Sequence, residues 1–95
     1  MNTLEKEIEA KLRKLVESRG GLCLKWVCPG WVGVPDRIVL LPGGRVIFVE
    51  TKRPKGGKVS PMQEWWRRKL TQLGFEHEII WDEEDLVGFE IGVLG

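Results

Sequence analysis

The sequence has few residues of the kinds that hold small proteins together through disulfides or zinc. Its 95 residues include two cysteines, Cys23 and Cys28, and one histidine, His77. A disulfide framework needs more cysteines than this, and a structural zinc site needs four Cys or His ligands. We therefore expect two reduced cysteines in or beside a strand. We expect His77 on the solvent side of its strand, with no catalytic role.

Long hydrophobic runs are also missing. The longest apolar runs, such as 38–41 and 46–49, are far shorter than the roughly 20 residues that cross a bilayer. The N-terminal segment is charged throughout and lacks the apolar core of a secretion signal. With 42% hydrophobic residues and five tryptophans, the chain is too apolar for a disordered protein. We expect a single domain over residues 1–95 that works in the cytoplasm and has no membrane partner.

Positive charge is absent from the C-terminal part of the chain. Residues 70–95 contain seven acidic side chains and no Lys or Arg, whereas residues 37–69 contain nine basic and two acidic side chains. The formal net charge of +1 is therefore the sum of a basic middle and an acidic tail. This asymmetry indicates a polyanionic partner that approaches from one side.

Hydrophobic periodicity predicts the element order α-β-β-β-α-β. Apolar residues recur at helical spacing over 3–18, and the apolar pattern predicts a strand over 22–27. Two apolar runs flank Pro42-Gly43-Gly44 and predict a hairpin, while Ser60 and Gln63 form a capping box that starts a helix. The remaining boundaries are the hairpin strands over 37–41 and 45–49, the second helix over 61–73, a strand over 75–81, and a tail that is either a short helix capped by Asp82 or an edge strand over 88–94.

The length of the hairpin loop determines which side chains lie together. If Leu41 faces Arg45 across three loop residues, then Asp36 faces Glu50 about 5 Å away on the same side of the sheet. Period-two alternation places Lys52 on that side too. A two-residue loop would move Asp36 to the opposite side. From spacing alone, this cluster is consistent with a metal site and equally with a salt-bridged cluster at a sheet end.

Two facing carboxylates repel each other unless a cation lies between them. Oxygen ligands with room for water suit Mg²⁺ or Mn²⁺. Such an ion would polarise a phosphate and lower the pKa of a bound water. Lys52 could then position that water and stabilise negative charge in the transition state.

These residues resemble a known nuclease motif. Three features are similar to the PD-(D/E)xK nuclease superfamily: Val34-Pro35-Asp36, Glu50-Thr51-Lys52 with Glu50 fourteen residues after Asp36, and Gln63 at the start of the next helix. Within it, they are most similar to the VRR-Nuc (virus-type replication-repair nuclease) branch. The resemblance implies a mixed α/β, restriction-endonuclease-like core with a hairpin-containing central sheet flanked by helices.

The resemblance also implies a role for individual residues. Asp36, Glu50 and the Thr51 carbonyl would bind the metal, Lys52 would be the catalytic lysine, and Gln63 would be a further polar residue of the site. The family places one more glutamate on the first helix. The candidates for that metal ligand are Glu5, which we prefer because it is flanked by the apolar stripe, Glu7 as the main alternative, and Glu9.

Basic residues are concentrated around this predicted site. Lysine and arginine neutralise phosphates without reading base sequence. Trp65 and Trp66 are adjacent, so they cannot both face the same way on a helix; the more exposed of them, and Trp31, are candidates for contact with DNA. The predicted DNA-binding residues are Arg37, Arg53, Lys55, Lys58, Arg67 and Arg68.

Together these features predict a Mg²⁺- or Mn²⁺-dependent, structure-selective DNA endonuclease with no organic cofactor. No separate DNA-reading motif is present, which favours recognition of branched DNA such as a four-way (Holliday) junction. Resolving a junction needs two symmetric cuts, which predicts a homodimer. Two alternatives stay open at this point: a non-catalytic nucleic-acid-binding module of nuclease fold, and a small dimeric scaffold protein.

Overall fold

The computed structural model describes residues 3–53 and 56–95. The predicted element order is confirmed, and two further helical segments follow it. The elements are α1 (Thr3–Ser18), β1 (Leu22–Lys25), β2 (Arg37–Leu41), a single 3₁₀ turn (Pro42–Gly44), β3 (Arg45–Thr51), α2 (Pro61–Gln72), β4 (Glu76–Ile80), α3 (Glu83–Gly88) and a wide π-type helical segment, α4 (Phe89–Leu94). In the part of the chain that the structure describes, no helix is long and apolar enough to cross a membrane.

The four strands form one sheet in the order β1-β2-β3-β4. β2 runs antiparallel to β1 and β3, whereas β4 pairs with β3 in parallel. The predicted hairpin register is confirmed, because Leu41 pairs with Arg45 and Ile38 pairs with Phe48 across the three-residue turn. Parallel strands need a long crossover connection, and the crossover here contains α2.

One face of the sheet is covered by helices over its apolar centre, and we call it the closed face. α1, α3 and α4 pack on it, burying a continuous apolar cluster in which Leu12, Val39 and Ile47 have no measurable exposure. The apolar stripe of α1 supplies three of these core residues at helical spacing. The cluster comprises Ile8, Leu12, Val16, Cys23, Val39, Ile47, Val49, Ile80, Leu86 and Phe89.

The opposite face, which carries Leu22, Leu24, Ile38, Leu40 and Phe48, is the open face. α2 and the loop after β1 cover only part of it. Leu22 remains 54% exposed and Leu24 44% exposed. Isolated exposed apolar residues are ordinary but contiguous ones are not, so the exposed apolar strip on this face is an unusual feature of the sheet.

Several predicted boundaries differ from the structure. The first strand ends at Lys25 rather than residue 27, although the Trp26 N–H still donates to the Asp36 carbonyl at 2.9 Å. β3 extends to Thr51 because β4 pairs with its last residues. The predicted edge strand over 88–94 is wrong. That segment is helical, because Phe89 lies three residues after Leu86 and both side chains are buried against the closed face.

The cysteine and histidine expectations have mixed outcomes. Cys23 is buried in β1 and Cys28 is half-buried after it, and both are free thiols. The expectation that His77 lies on the solvent side is met only in part, because His77 is half-buried on the open face. His77 pairs with Phe48 on the open face, where its Nδ1 atom is buried without a hydrogen-bond partner. Burial lowers the pKa of His77, so the neutral ring is favoured.

Candidate active site

Asp36 and Glu50 are held together through the backbone at the end of the hairpin. The Asp36 N–H donates to Glu50 Oε1 at 3.1 Å. The Asp36 carboxylate accepts hydrogen bonds from the Thr51 hydroxyl at 2.8 Å and from the Thr51 N–H at 3.2 Å. Each carboxylate is therefore oriented by groups on the neighbouring strand, which agrees with the facing arrangement that the loop length predicts.

Both carboxylates have a raised affinity for protons, and the charge of Asp36 contributes to that of Glu50. Burial, followed by the negative charge of Asp36, raises the pKa of Glu50 to about 7. Burial also raises the pKa of Asp36, despite its hydrogen bonds from Thr51. Only 7% of the Glu50 side chain is exposed. A site with this much unfavourable negative charge favours a bound cation.

Lys52 and Gln63 complete a closed ring of hydrogen bonds with Glu50. Lys52 Nζ donates to Gln63 Oε1 at 2.6 Å, and Gln63 Nε2 donates to Glu50 Oε2 at 2.5 Å. Lys52 Nζ also lies 3.3 Å from Glu50 Oε2. Because each of the three side chains contacts the other two, the ammonium group has a fixed position beside the carboxylates.

Gln63 also forms the capping box at the start of α2. The Gln63 N–H donates to Ser60 Oγ at 3.1 Å, and Gln63 Oε1 accepts from the Ser60 N–H at 2.9 Å. The structure thus gives Gln63 both of the roles that its sequence position permits. A single side chain caps the helix and holds Lys52.

Gly33 lets the loop before Asp36 pack directly on the start of α2. It has φ +79°, and a Cβ atom there would lie 2.6 Å from Met62 Cβ and 2.9 Å from the Gln63 nitrogen. Both the conformation and the close contact require glycine. Gly33 therefore belongs to the scaffold that positions Asp36 against Gln63.

On the first helix, the charge of Glu9 reaches Asp36. Glu9 forms an ion pair with Arg37 at 3.2 Å, and its negative charge is one of the causes that raise the pKa of Asp36. Glu5 lies one helical turn earlier and is half-buried, whereas Glu7 is exposed. The sequence signal for Glu9 is its spacing: residues four apart share a helix face, so Glu5 and Glu9 are near neighbours while Glu7 faces away.

The oxygen donors present fit a hard divalent ion. Within residues 3–53 and 56–95, no group of three or more His, Cys, Asp or Glu side chains could hold a metal. Asp36 and Glu50 supply the two carboxylates at this end of the hairpin, and the Thr51 carbonyl is the third oxygen donor that the resemblance implies. An all-oxygen set with few protein ligands suits Mg²⁺ or Mn²⁺, which keep several waters.

The predicted DNA-binding residues fall into two groups. Arg53 and Lys58 are exposed; the Arg68 side chain is 64% exposed, although its Nε atom lies 3.6 Å from Glu64 Oε2. Arg67 is engaged by Glu64, with Nε donating to Oε1 at 2.8 Å, and Arg37 is engaged by Glu9. Lys55 lies outside the described residues. The sequence does not show which cations are already paired, because that depends on side-chain contacts.

Comparisons with known proteins agree with this fold. No family model matches the chain. It is 42% identical over 85 residues to "Putative nuclease p44" of Acyrthosiphon pisum secondary endosymbiont phage 1, which covers 90% of this chain and 85% of the relative. A solved structure described as a VRR_NUC domain superposes with a TM-score of 0.84 at 27% identity, covering 94% of this chain and 97% of that one.

The fold and these likenesses define a nuclease domain, a class that acts on nucleic acid and generally depends on a divalent metal. The chain belongs to the VRR-Nuc family of nucleases. The resemblance carried by Asp36, Glu50, Lys52 and Gln63 is confirmed at the level of family and fold.

Proposed function

We propose that residues 1–95 form one nuclease domain that cuts branched DNA, such as a four-way junction, as a Mg²⁺- or Mn²⁺-dependent homodimeric endonuclease. The observation that supports this most directly is the buried ring of Glu50, Lys52 and Gln63 beside Asp36. The phage origin of the similar nuclease p44 supports action in the cytoplasm of a host cell.

In this proposal Asp36, Glu50 and the Thr51 carbonyl hold the metal. When bound, the ion supplies the positive charge that polarises the scissile phosphate and lowers the pKa of a water. Lys52 Nζ, fixed by Gln63 Oε1, positions the attacking water and donates to the phosphate oxygen on which negative charge develops. The Thr51 hydroxyl keeps the Asp36 carboxylate in place during the reaction.

Glu9 is our proposal for the additional glutamate of the first helix, and Glu5, favoured by the sequence pattern, is the alternative. The effect of Glu9 on the pKa of Asp36 supports this choice. Because the described acidic side chains provide only two close ligands, Glu9 would act through bound water. Glu9→Gln, Glu5→Gln and Glu7→Gln are matched variants: the largest loss of cleavage in Glu5→Gln would return the role to that residue.

The homodimer in this proposal uses the open face. Leu22 and Leu24 lie on an edge strand, and Phe75, which contacts Phe48 edge-to-face, is 43% exposed. A two-fold dimer buries the same patch on both copies and supplies two active sites. Leu24→Glu should give a monomer by light scattering that nicks junctions instead of cutting both strands. Val87→Glu, on α3, is the control that should remain a dimer.

Cleavage by Lys52→Ala provides the central test. A panel of four-way junction, flap, fork and linear duplex is incubated with Mg²⁺, Mn²⁺ or EDTA. We expect the variant to lose about 10²- to 10³-fold in cleavage rate while junction binding survives, since one charge-stabilising donor contributes on that scale. Lys14→Ala, at an exposed lysine of α1, is the matched control and should cut at nearly the wild-type rate.

Two results would replace the proposal with one of its alternatives. Junction binding without cutting, at any pH with either metal, would indicate a non-catalytic nucleic-acid-binding module. If the protein bound none of the DNA structures at low salt, the remaining alternative would be the small dimeric scaffold protein.

A further inference from the structure

Two tryptophans lie side by side on the surface, away from the proposed metal ligands. The rings of Trp31 and Trp65 are nearly parallel, with 20° between their planes and 6.2 Å between centroids. Trp31 is 55% exposed and Trp65 37% exposed. We call these two residues, with Arg68 and Lys69, the tryptophan surface. Large apolar rings exposed together mark binding sites more often than chance.

The surrounding structure holds these rings in their exposed position. Trp66, the neighbour of Trp65, turns inward and donates from Nε1 to the Val32 carbonyl at 2.9 Å. Its ring contacts Trp31 edge-to-face at 5.5 Å and Trp65 at 5.2 Å. Gly33 packs the same loop against Met62. The loop is therefore fixed to α2 while its tryptophan remains in solvent.

Positive charge accompanies the rings. Lys69 Nζ lies 5.7 Å from the centroid of the Trp65 ring, and the Arg68 side chain is 64% exposed. Trp65, Arg68, Lys69 and Gln72 line one shallow pocket. Exposed aromatic rings beside cations are what single-stranded nucleic acids bind, through base stacking and phosphate contacts. Lysine, by contrast, is depleted from the interfaces between proteins.

We propose that the tryptophan surface binds unpaired nucleotides of the DNA that the active site cuts, an inference that rests on the proposed function. Trp65 follows Gln63 by two residues and therefore faces the opposite side of α2. A strand leaving the active site reaches it by passing around half of a helix roughly 10 Å across, a path of about 16 Å, or about five nucleotides at 3.4 Å each. The substrate then has an unpaired arm or an open branch point close to the cut.

Trp65→Leu tests this proposal, because leucine stays apolar but offers no ring face. The probes are an oligothymidylate, a flap and a fully paired duplex, measured by fluorescence anisotropy in metal-free buffer. We expect Trp65→Leu to bind the oligothymidylate and the flap about tenfold more weakly and the duplex unchanged. Trp65→Phe keeps a ring and should lose much less. Val87→Ala, an exposed apolar control on α3, should match wild type.

The outcomes separate this proposal from the proposed function. Equal losses on all three probes, or none, would overturn the tryptophan surface even if wild type cuts branched DNA. A lower solution mass for Trp65→Leu would show a protein interface there and overturn it as well. Selective loss on unpaired probes, with no metal-dependent cutting by wild type, would support the surface and refute the endonuclease. No binding of wild type to any probe would refute both.

Discussion

The two faces of the same four-stranded sheet differ in burial and in the side chains that they carry. On the closed face, fully buried apolar side chains meet α1, α3 and α4, and charges at its margin are paired across elements. On the open face, a buried carboxylate, a lysine and a glutamine lie beside half-exposed leucines and tryptophans. The closed face buries apolar side chains against helices, although Arg37 Nε is buried there without a hydrogen-bond partner, whereas the open face exposes apolar area beside a buried carboxylate.

The charges of the acidic tail follow this division. Lys11 bonds to Glu83, Arg19 Nη2 lies 3.4 Å from Glu90, and Arg45 Nη2 lies 2.6 Å from Glu76. Three of the tail's carboxylates are thus partnered by basic residues from α1, its following turn and β3, and α3 and α4 pack on the closed face. The acidic tail therefore lies on the closed face, where α1 also carries exposed cations, while Arg68 and Lys69 are exposed on α2.

The largest expected difference between the faces is in stability. Ile47→Ala removes a side chain with no exposure from the closed face, so we expect the free energy of unfolding to fall by about 2–5 kcal/mol. Leu24→Ala, on the open face, should cost less than about 1 kcal/mol because leucine there is 44% exposed. Urea denaturation followed by circular dichroism measures both. Equal losses would remove the distinction between the faces.

A smaller effect is expected from pH in metal-free buffer. The pKa of Glu50 is about 7 when folded and 4.5 in its ordinary state, so the folded protein holds the extra proton between these values. Stability should therefore fall as pH rises from about 5 to 7, by about 2–3 kcal/mol in total, and level off above. Urea midpoints in EDTA at pH 5 to 8 measure this. A Glu50→Gln profile as steep as that of wild type would contradict it.

Replacing Asp36 should raise the stability of the metal-free protein, by less than the pH effect lowers it. Asp36→Asn removes the negative charge facing Glu50 while keeping one oxygen to accept from Thr51. At pH 8 without metal, we expect the free energy of unfolding to rise by about 1 kcal/mol, which is the interaction energy of two unit charges a few ångströms apart near water. We also expect the variant to lose DNA cleavage. Unchanged or lower stability by thermal melting would argue against mutual repulsion in this pair.

The smallest effect should come from the paired charges at the edge of the closed face. Glu83→Gln breaks an exposed ion pair with Lys11. Surface pairs of this kind contribute only about 0–1 kcal/mol. We expect a change within about 0.5 kcal/mol in urea denaturation and no change in DNA cleavage. A larger loss would mean that the acidic tail does more for the fold than its geometry suggests.

The parts of the fold and site that depend on local pattern were predictable. The three-residue turn determines the pairing of Asp36 with Glu50, and the Ser60–Gln63 box places α2. Other features depend on contacts between distant segments. The Glu9–Arg37 ion pair spans 28 residues, and no period in either segment encodes it. The tail was ambiguous because six-residue segments bear too few turns to show a helical period.

Because Gln63 contacts both the helix cap and Glu50, the first turn of α2 is coupled to ligand binding at Glu50. Any ligand that takes Glu50 Oε2 from Gln63 Nε2 also disturbs the side chain that accepts from the Ser60 N–H. Capping residues contribute on the order of 1 kcal/mol to a helix, so occupancy of the site is linked thermodynamically to fraying of this helix end. Amide hydrogen exchange at the first turn of α2 should therefore change when the site is filled, although those amides coordinate nothing.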